Sequence, residues 1–286
     1  MPVYPGTNVP VNKPGLKDPE GLATFEAAIV RARAIELDEK PIPPTFDRAH
    51  LKEMHRRLFQ DVYAWAGELR SAPFPDRPSV LRSSFNPSPT QSVQAFGDAI
   101  LREMRSDTTL RPMDKEGFVT AIASHYDRLS YWRPFASGNS RTLNLFIRQL
   151  SETAGYRMAL SPDIRESLSK ALVAASYDEL APMRGVFRSI LTPQRAFVFA
   201  QNDKQGESDH VIVRVHPELK GTYQILSEAR EQLGYEDGRF PDLARERRYE
   251  HVVKNFQRVL DKGVLPETSH PQALEHALWV TRGHER

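Results

Sequence analysis

A mainly α-helical fold, with one short β-hairpin inside it and a small α/β or helical extension after it, is the architecture this sequence predicts. Three observations carry that reading. Apolar residues recur at intervals of three and four through most of residues 18–190. Prolines at 73, 75, 78, 87 and 89 interrupt the periodicity, so residues 69–89 read as a loop or an irregular hairpin. After Pro193, two short apolar runs at 196–200 and 210–215 read as strands joined by the polar stretch 201–209, which places a boundary near residue 195.

The elements follow in chain order. Residues 1–19 form an extended arm punctuated by Pro2, Pro5, Pro10, Pro14 and Pro19, with turns at Gly6 and Gly15. Asp18 caps a first helix that Pro19 opens, running to about Leu37 and stopped by Pro41, Pro43 and Pro44. Asp47 starts a second, with Leu51, Met54, Leu58 and Val62 on one face, running into Tyr63, Trp65 and Gly67. Val93, Phe96, Ile100 and Met104 mark a third. A fourth enters through Asp114, carries Phe118, Ile122, Tyr126 and Leu129, and is interrupted from Trp132. Helix resumes at Asn139 with Leu143, Phe146, Ile147 and Leu150 on one face and closes near Gly155. Two more are expected at about 161–174 and 177–190. In the tail, Tyr249, Val252, Val253, Phe256, Val259 and Leu260 form a stripe ended by Gly263; Arg245, Arg247 and Arg248 stand ahead of it, more consistent with a solvated face than with a basic contact surface.

Composition narrows the function classes. With 286 residues and 40% apolar content the chain can build a real core, which excludes wholesale disorder. The absence of cysteine removes disulfides, thiolate zinc sites and a cysteine nucleophile. A formal charge of +2 gives little support to coating nucleic acid, and no stretch reaches the roughly 18 apolar residues of a membrane span. Neither a membrane nor a nucleic-acid partner is expected, and no secretory signal; a cytoplasmic or translocated protein is expected.

One segment carries chemistry: Arg133-Pro134-Phe135-Ala136-Ser137-Gly138-Asn139-Ser140-Arg141, between the fourth and fifth helices. A Gly-Asn turn opening a helix points free backbone N–H groups at one spot where the helix dipole also favours negative charge, a nest suited to phosphate. Arg141 in the first turn is opposed by the same dipole, and an anion there reconciles the two. Taken alone, a plain helix cap with Arg141 in solvent explains the pattern equally well.

This string resembles the Fic (Fido) motif, His-Pro-Phe-x-(Asp/Glu)-Gly-Asn-Gly-Arg-x-x-Arg. The run Leu58-Phe-Gln-Asp-Val-Tyr-Ala-Trp-Ala-Gly-Glu-Leu-Arg70 is similar to the block before the family's flap. Tyr4-Pro-Gly-Thr-Asn and Asn12-Lys-Pro-Gly-Leu-Lys-Asp-Pro19 resemble the start of Fic proteins secreted through type IV systems and of plasmid-borne toxin relatives. The likeness spans about residues 1–195, which implies a Fic-like domain there and an extension of unknown type over 196–286. It implies descent from protein adenylyltransferases, in which AMP passes from ATP to a hydroxyl of a target protein. The family's histidine takes the proton, its carboxylate holds Mg²⁺, the nest amides hold phosphate and the first arginine grips the outer phosphates. Here Phe135, Gly138, Asn139, Ser140 and Arg141 fall on the nucleotide-binding positions. The flap, about 69–85, is expected to hold the target by main-chain pairing.

The match fails where protons move. Arg133 stands at the base position, and a guanidinium with a pKa above about 12 accepts no proton near neutrality. Ser137 replaces the metal-binding carboxylate, which weakens the case for Mg²⁺ while leaving ATP. Ser140 replaces a glycine and is tolerable if its φ is negative; Asn144 replaces the second arginine. His125, two turns before Arg133, reads as a packing or surface residue and His55, beside an apolar stripe, as a structural histidine, neither as a substitute base. The family's inhibitory Ser/Thr-x-x-x-Glu-(Gly/Asn) helix is absent: neither Glu20-Gly21 nor Glu116-Gly117 fits, so any inhibitor or antitoxin is expected on a separate polypeptide. Three readings remain open: an impaired enzyme acting by binding a nucleotide, anion or protein; an active nucleotidyltransferase of altered chemistry; and an interaction module of a secretion or toxin system.

Overall fold

The computed structural model describes residues 2–70, 93–106, 114–177, 179–205 and 209–263. The flap expected at 69–85 lies, from residue 71 onward, outside the described residues, as does the chain after 263.

The described residues are mainly helical. Asp18 accepts the Gly21 N–H and opens α1 (Pro19–Glu39); Asp47 accepts the His50 N–H and opens α2 (Arg48–Phe59). Both are side-chain caps of the kind their sequences announce. Then come α3 (Val93–Ser106), α4 (Lys115–Trp132), α5 (Asn139–Thr153), β1 (Tyr156–Met158), α6 (Pro162–Ala175), α7 (Ala181–Ile190) and β2 (Leu191–Pro193). The chain continues through α8 (Gln194–Gln205), α9 (Asp209–Val215), a 3₁₀ turn at Pro217–Leu219, α10 (Lys220–Gln232) and α11 (Leu243–Asp261). No helix among the described residues is long and apolar enough to cross a membrane.

The chain divides into two compact units. The first takes in the described residues among 1–111, 119–154 and 159–190. Here α1 packs on α2, α2 on α5 and α6 on α7. Leu58, Phe59, Ile122, Trp132, Phe146, Ile147, Met183 and Phe187 are wholly buried. The second unit takes in 114–118, 155–158 and the described residues from 191 onward. Its core gathers Ala196, Phe199, Ile212, Leu219, Tyr223, Leu226, Val252, Phe256 and Leu260. Strands β1 and β2 pair antiparallel, Tyr156 opposite Pro193 and Met158 opposite Leu191, and Phe118 stacks on Tyr156 with ring centroids 4.3 Å apart.

Several expectations are corrected. Residues 196–200 and 210–215 are helical, in α8 and α9, rather than strands. A five-residue apolar run does not distinguish strand from buried helix, and the buried pair Ala196 and Phe199, three apart, shows the helical choice. The strand in this region lies instead at 191–193 and includes Pro193. Helix α2 ends at Phe59, with Tyr63, Trp65 and Gly67 on the turns beyond it, and α7 begins at Ala181, four residues after the expected start. Arg245, Arg247 and Arg248 lie inside α11, because the Asp242 side chain accepts the Arg245 N–H at 2.8 Å and starts the helix there.

Candidate functional site

Helix α4 ends at Trp132, and the next residue, Arg133, reverses the chain with φ at 44°, a conformation that costs a side-chain-bearing residue about 1–3 kcal/mol. Arg70 holds this turn. Its backbone N–H donates to the Pro134 carbonyl at 2.8 Å, and its guanidinium donates to the carbonyls of Arg133 at 2.7 Å and Trp132 at 3.3 Å. The last residue of the block that precedes the flap is thus tied to the start of the motif. The Arg133 guanidinium itself is exposed.

The loop is closed by Asn139. Its Oδ1 accepts the Phe135 N–H at 2.9 Å and its Nδ2 donates to the Phe135 carbonyl at 2.8 Å, so this side chain is spent on loop shape. Gly138 follows Ser137 with φ at 74°, and a Cβ there would be driven into the Phe59 ring. Glycine is required both by the left-handed backbone and by that ring. From Gly138 the chain enters α5, where the Thr142 N–H is the first to reach an intrahelical carbonyl, that of Gly138, at 3.1 Å. The N–H groups of Asn139, Ser140 and Arg141 therefore have no partner inside the helix. Ser140 is helical and outside the positive-φ set, which meets the condition for replacing glycine.

Arg141 finds a counter-charge within the chain. Its guanidinium pairs with Glu26 of α1 and lies over the Phe59 ring, 4.8 Å from the centroid. Tyr63 donates to the other oxygen of Glu26. The negative charge that a basic first turn calls for is in this structure a carboxylate 115 positions upstream. Burial, and then the Glu26 carboxylate, push the Tyr63 hydroxyl above its ordinary pKa. Nothing in the spacing of Glu26 marks it, and it was not among the residues singled out in the sequence.

His55 lies under the loop, fully buried. The Gly67 N–H donates to its Nδ1 at 2.8 Å, and its Nε2 is 3.1 Å from the Ser137 carbonyl. Burial pushes its pKa down to about 4. Phe135, expected to face a nucleotide, is 2% exposed and stacks on His55 at 3.8 Å. Asn144, at the second-arginine position, is buried and its Oδ1 accepts the Tyr126 hydroxyl at 2.9 Å. His125 is buried in α4, the packing position expected of it.

A cavity of about 290 Å³ opens beside the motif, lined by Arg133, Asn139, Ser140 and Thr142 on one side and Ser169 and Leu172 of α6 on the other. Among the described residues no group of three metal-binding side chains comes together, and the loop itself contains no carboxylate.

A helical body presenting a glycine-asparagine turn at the head of a helix, with the block before the flap tied to it, is the arrangement that the resemblance to the Fic motif implies. Residues 45–151 match the model of the Fic/DOC family. The chain is 26% identical over 260 residues to the protein adenylyltransferase VbhT of Bartonella schoenbuchensis, covering 90% of this chain and 53% of that one. It is 30% identical over 203 residues to a protein adenylyltransferase of Bartonella henselae, covering 68% and 37% respectively. The chain thus spans about half or less of these relatives. It also resembles the crystal structure of BepC, a VirB-translocated effector of Bartonella tribocorum with bound AMPPNP. That likeness has a TM-score of 0.57 at 26% identity, over 67% of this chain and 96% of that one.

Proposed function

We propose that this chain is a Fic-domain protein of adenylyltransferase descent whose AMP transfer is impaired and which acts by holding a nucleotide or another phosphate-bearing anion at the amino end of α5. One observation carries the reading: an exposed guanidinium, that of Arg133, occupies the position of the family's base. Loss of a general base costs a factor of about 10² to 10⁴. Neither His55 nor His125 stands in for it, since His55 is buried and bonded on both ring nitrogens and His125 is buried in α4.

Binding is supported by what remains. Three helix-terminal N–H groups, the nearby Arg133 charge and a 290 Å³ cavity suit a phosphate chain and part of a nucleoside. ATP fits these groups; Mg²⁺ does not, because Ser137 offers a neutral hydroxyl where a hard cation prefers carboxylate oxygen. The relatives' names and the translocated BepC support a target protein and delivery by a secretion system as further parts of the proposal, with residues 69–85 proposed, from the resemblance alone, to meet that target.

The test is incubation with labelled ATP, Mg²⁺ and a cell lysate, beside calorimetric titration of ATP with and without the metal. Metal-independent ATP binding is expected, with no transfer of label from the native chain and labelling gained by the double variant Arg133→His, Ser137→Glu. Efficient labelling by the native chain, lost on Arg141→Ala, would overturn the reading in favour of an active transferase.

A further inference from the structure

We propose that His55 is the positioning residue of this site: its ring, held in one tautomer, fixes the peptide between Ser137 and Gly138 and thereby the direction of the N–H groups that face an anion. This rests on the binding function just proposed for the loop.

The tautomer follows from its partners. The Gly67 N–H can only donate, so Nδ1 at 2.8 Å must be a bare acceptor. The ring hydrogen is then on Nε2, which donates to the Ser137 carbonyl at 3.1 Å. The other neutral tautomer would set hydrogen against hydrogen at Gly67 and leave the Ser137 carbonyl facing a lone pair. The ring cannot slide to find other partners, because it lies flat on Phe135, 18° from parallel, and is flanked by Phe59 at 4.7 Å and Trp65 at 5.9 Å.

What this bond controls is geometric. A trans peptide is planar, with C=O and the following N–H pointing in opposite directions. Holding the Ser137 oxygen toward the buried ring directs the Gly138 N–H away from it. Gly138, at φ 74°, then launches α5. The same ring grips Gly67, three residues before Arg70, which in turn holds the carbonyls of Trp132, Arg133 and Pro134. One imidazole, 82 positions before Ser137 and 12 before Gly67, thus couples the base of the flap to the motif. An ordinary core histidine needs its ring buried; it does not need its two nitrogens spent on the two segments that frame a site.

The test compares the native chain with His55→Phe, which keeps ring and burial but makes neither bond, and His55→Gln, whose amide nitrogen can still donate to Ser137. Calorimetry with AMPPNP reads affinity, thermal unfolding reads stability, and hydrogen exchange reads the amides of residues 135–141. His55→Phe is expected to bind more than about tenfold more weakly, the scale of one lost hydrogen bond, with faster exchange in that loop, and His55→Gln to recover most of both. Native-like affinity and loop exchange in His55→Phe would overturn the proposal. If the native chain itself does not bind AMPPNP, the proposed function falls, and loop exchange alone then decides the role of His55. Should His55→Phe fail to fold, ¹⁵N NMR of the native histidines decides: a neutral His55 protonated on Nε2 is expected, and protonation on Nδ1 at neutral pH overturns it.

Discussion

Arg141 and Gly138 show how single side chains set what this loop can do. Arg141 sits in the first turn of a helix whose dipole repels it, and Glu26 supplies the compensating charge. That carboxylate also subtracts one positive charge from the anion site. Glu26→Gln is therefore expected to raise ATP affinity by roughly fivefold, about 1 kcal/mol of recovered attraction; weaker binding in calorimetry would instead make Glu26 a support that Arg141 cannot do without. Gly138 faces two independent constraints, a left-handed φ of 74° and the Phe59 ring. Gly138→Ala is expected to cost about 2–4 kcal/mol in urea unfolding, from backbone strain and overpacking together.

Helix α2 is the element that organises the site, because its buried face carries His50, His55, Leu58 and Phe59. Both histidines are neutral and bonded on both nitrogens. The Nδ1 of His50 accepts the Phe46 N–H at 3.1 Å, and its Nε2 is 2.9 Å from Gln149 of α5. Burial lowers the pKa of both, that of His55 to about 4. The sign of the pH dependence follows. Below about 6.5 the unfolded chain takes up protons that the folded chain refuses, so stability is full above that pH and falls as the pH drops toward 4. Between pH 7 and pH 5 the His55 contribution is about 2 kcal/mol lost, with His50 adding in the same direction. Urea midpoints at the two values check this, and the slope is expected to shrink in His55→Phe.

At the scale of the whole molecule, the second unit is not a simple appendage. It draws on residues 114–118 and 155–158 as well as the described residues beyond 190. Strand β1 pairs with β2, and the Lys115 N–H donates to the Lys262 carbonyl at 2.9 Å. A chain ended at residue 190 would leave β1 without its partner and uncover Phe118, Tyr156 and Met158, all at most 4% exposed. At about 1.5–3 kcal/mol for each buried side chain, the truncated chain is expected to lose several kcal/mol and unfold at a clearly lower temperature. An unchanged melting curve would show that residues 155–158 do not depend on the rest of their unit.

The helical class, most helix starts and the motif loop were written in the sequence, because they depend on local physics. Asp18 and Asp47 accept N–H groups a few residues on, apolar stripes repeat with the helical turn, and the Gly138-Asn139 pair demands a turn wherever it occurs. The substitutions at Arg133 and Ser137 were legible for the same reason, since a guanidinium is a poor base in any fold. What the sequence could not give was long-range pairing. It did not show that Ala196–Ala200 would coil against α11 rather than extend, that Arg141 would meet Glu26, or that His55 would face Ser137 and Gly67. Those contacts join residues from 12 to 115 positions apart. They exist only because burial of the helix faces brings the segments together, and no local spacing records which distant partner that burial will choose.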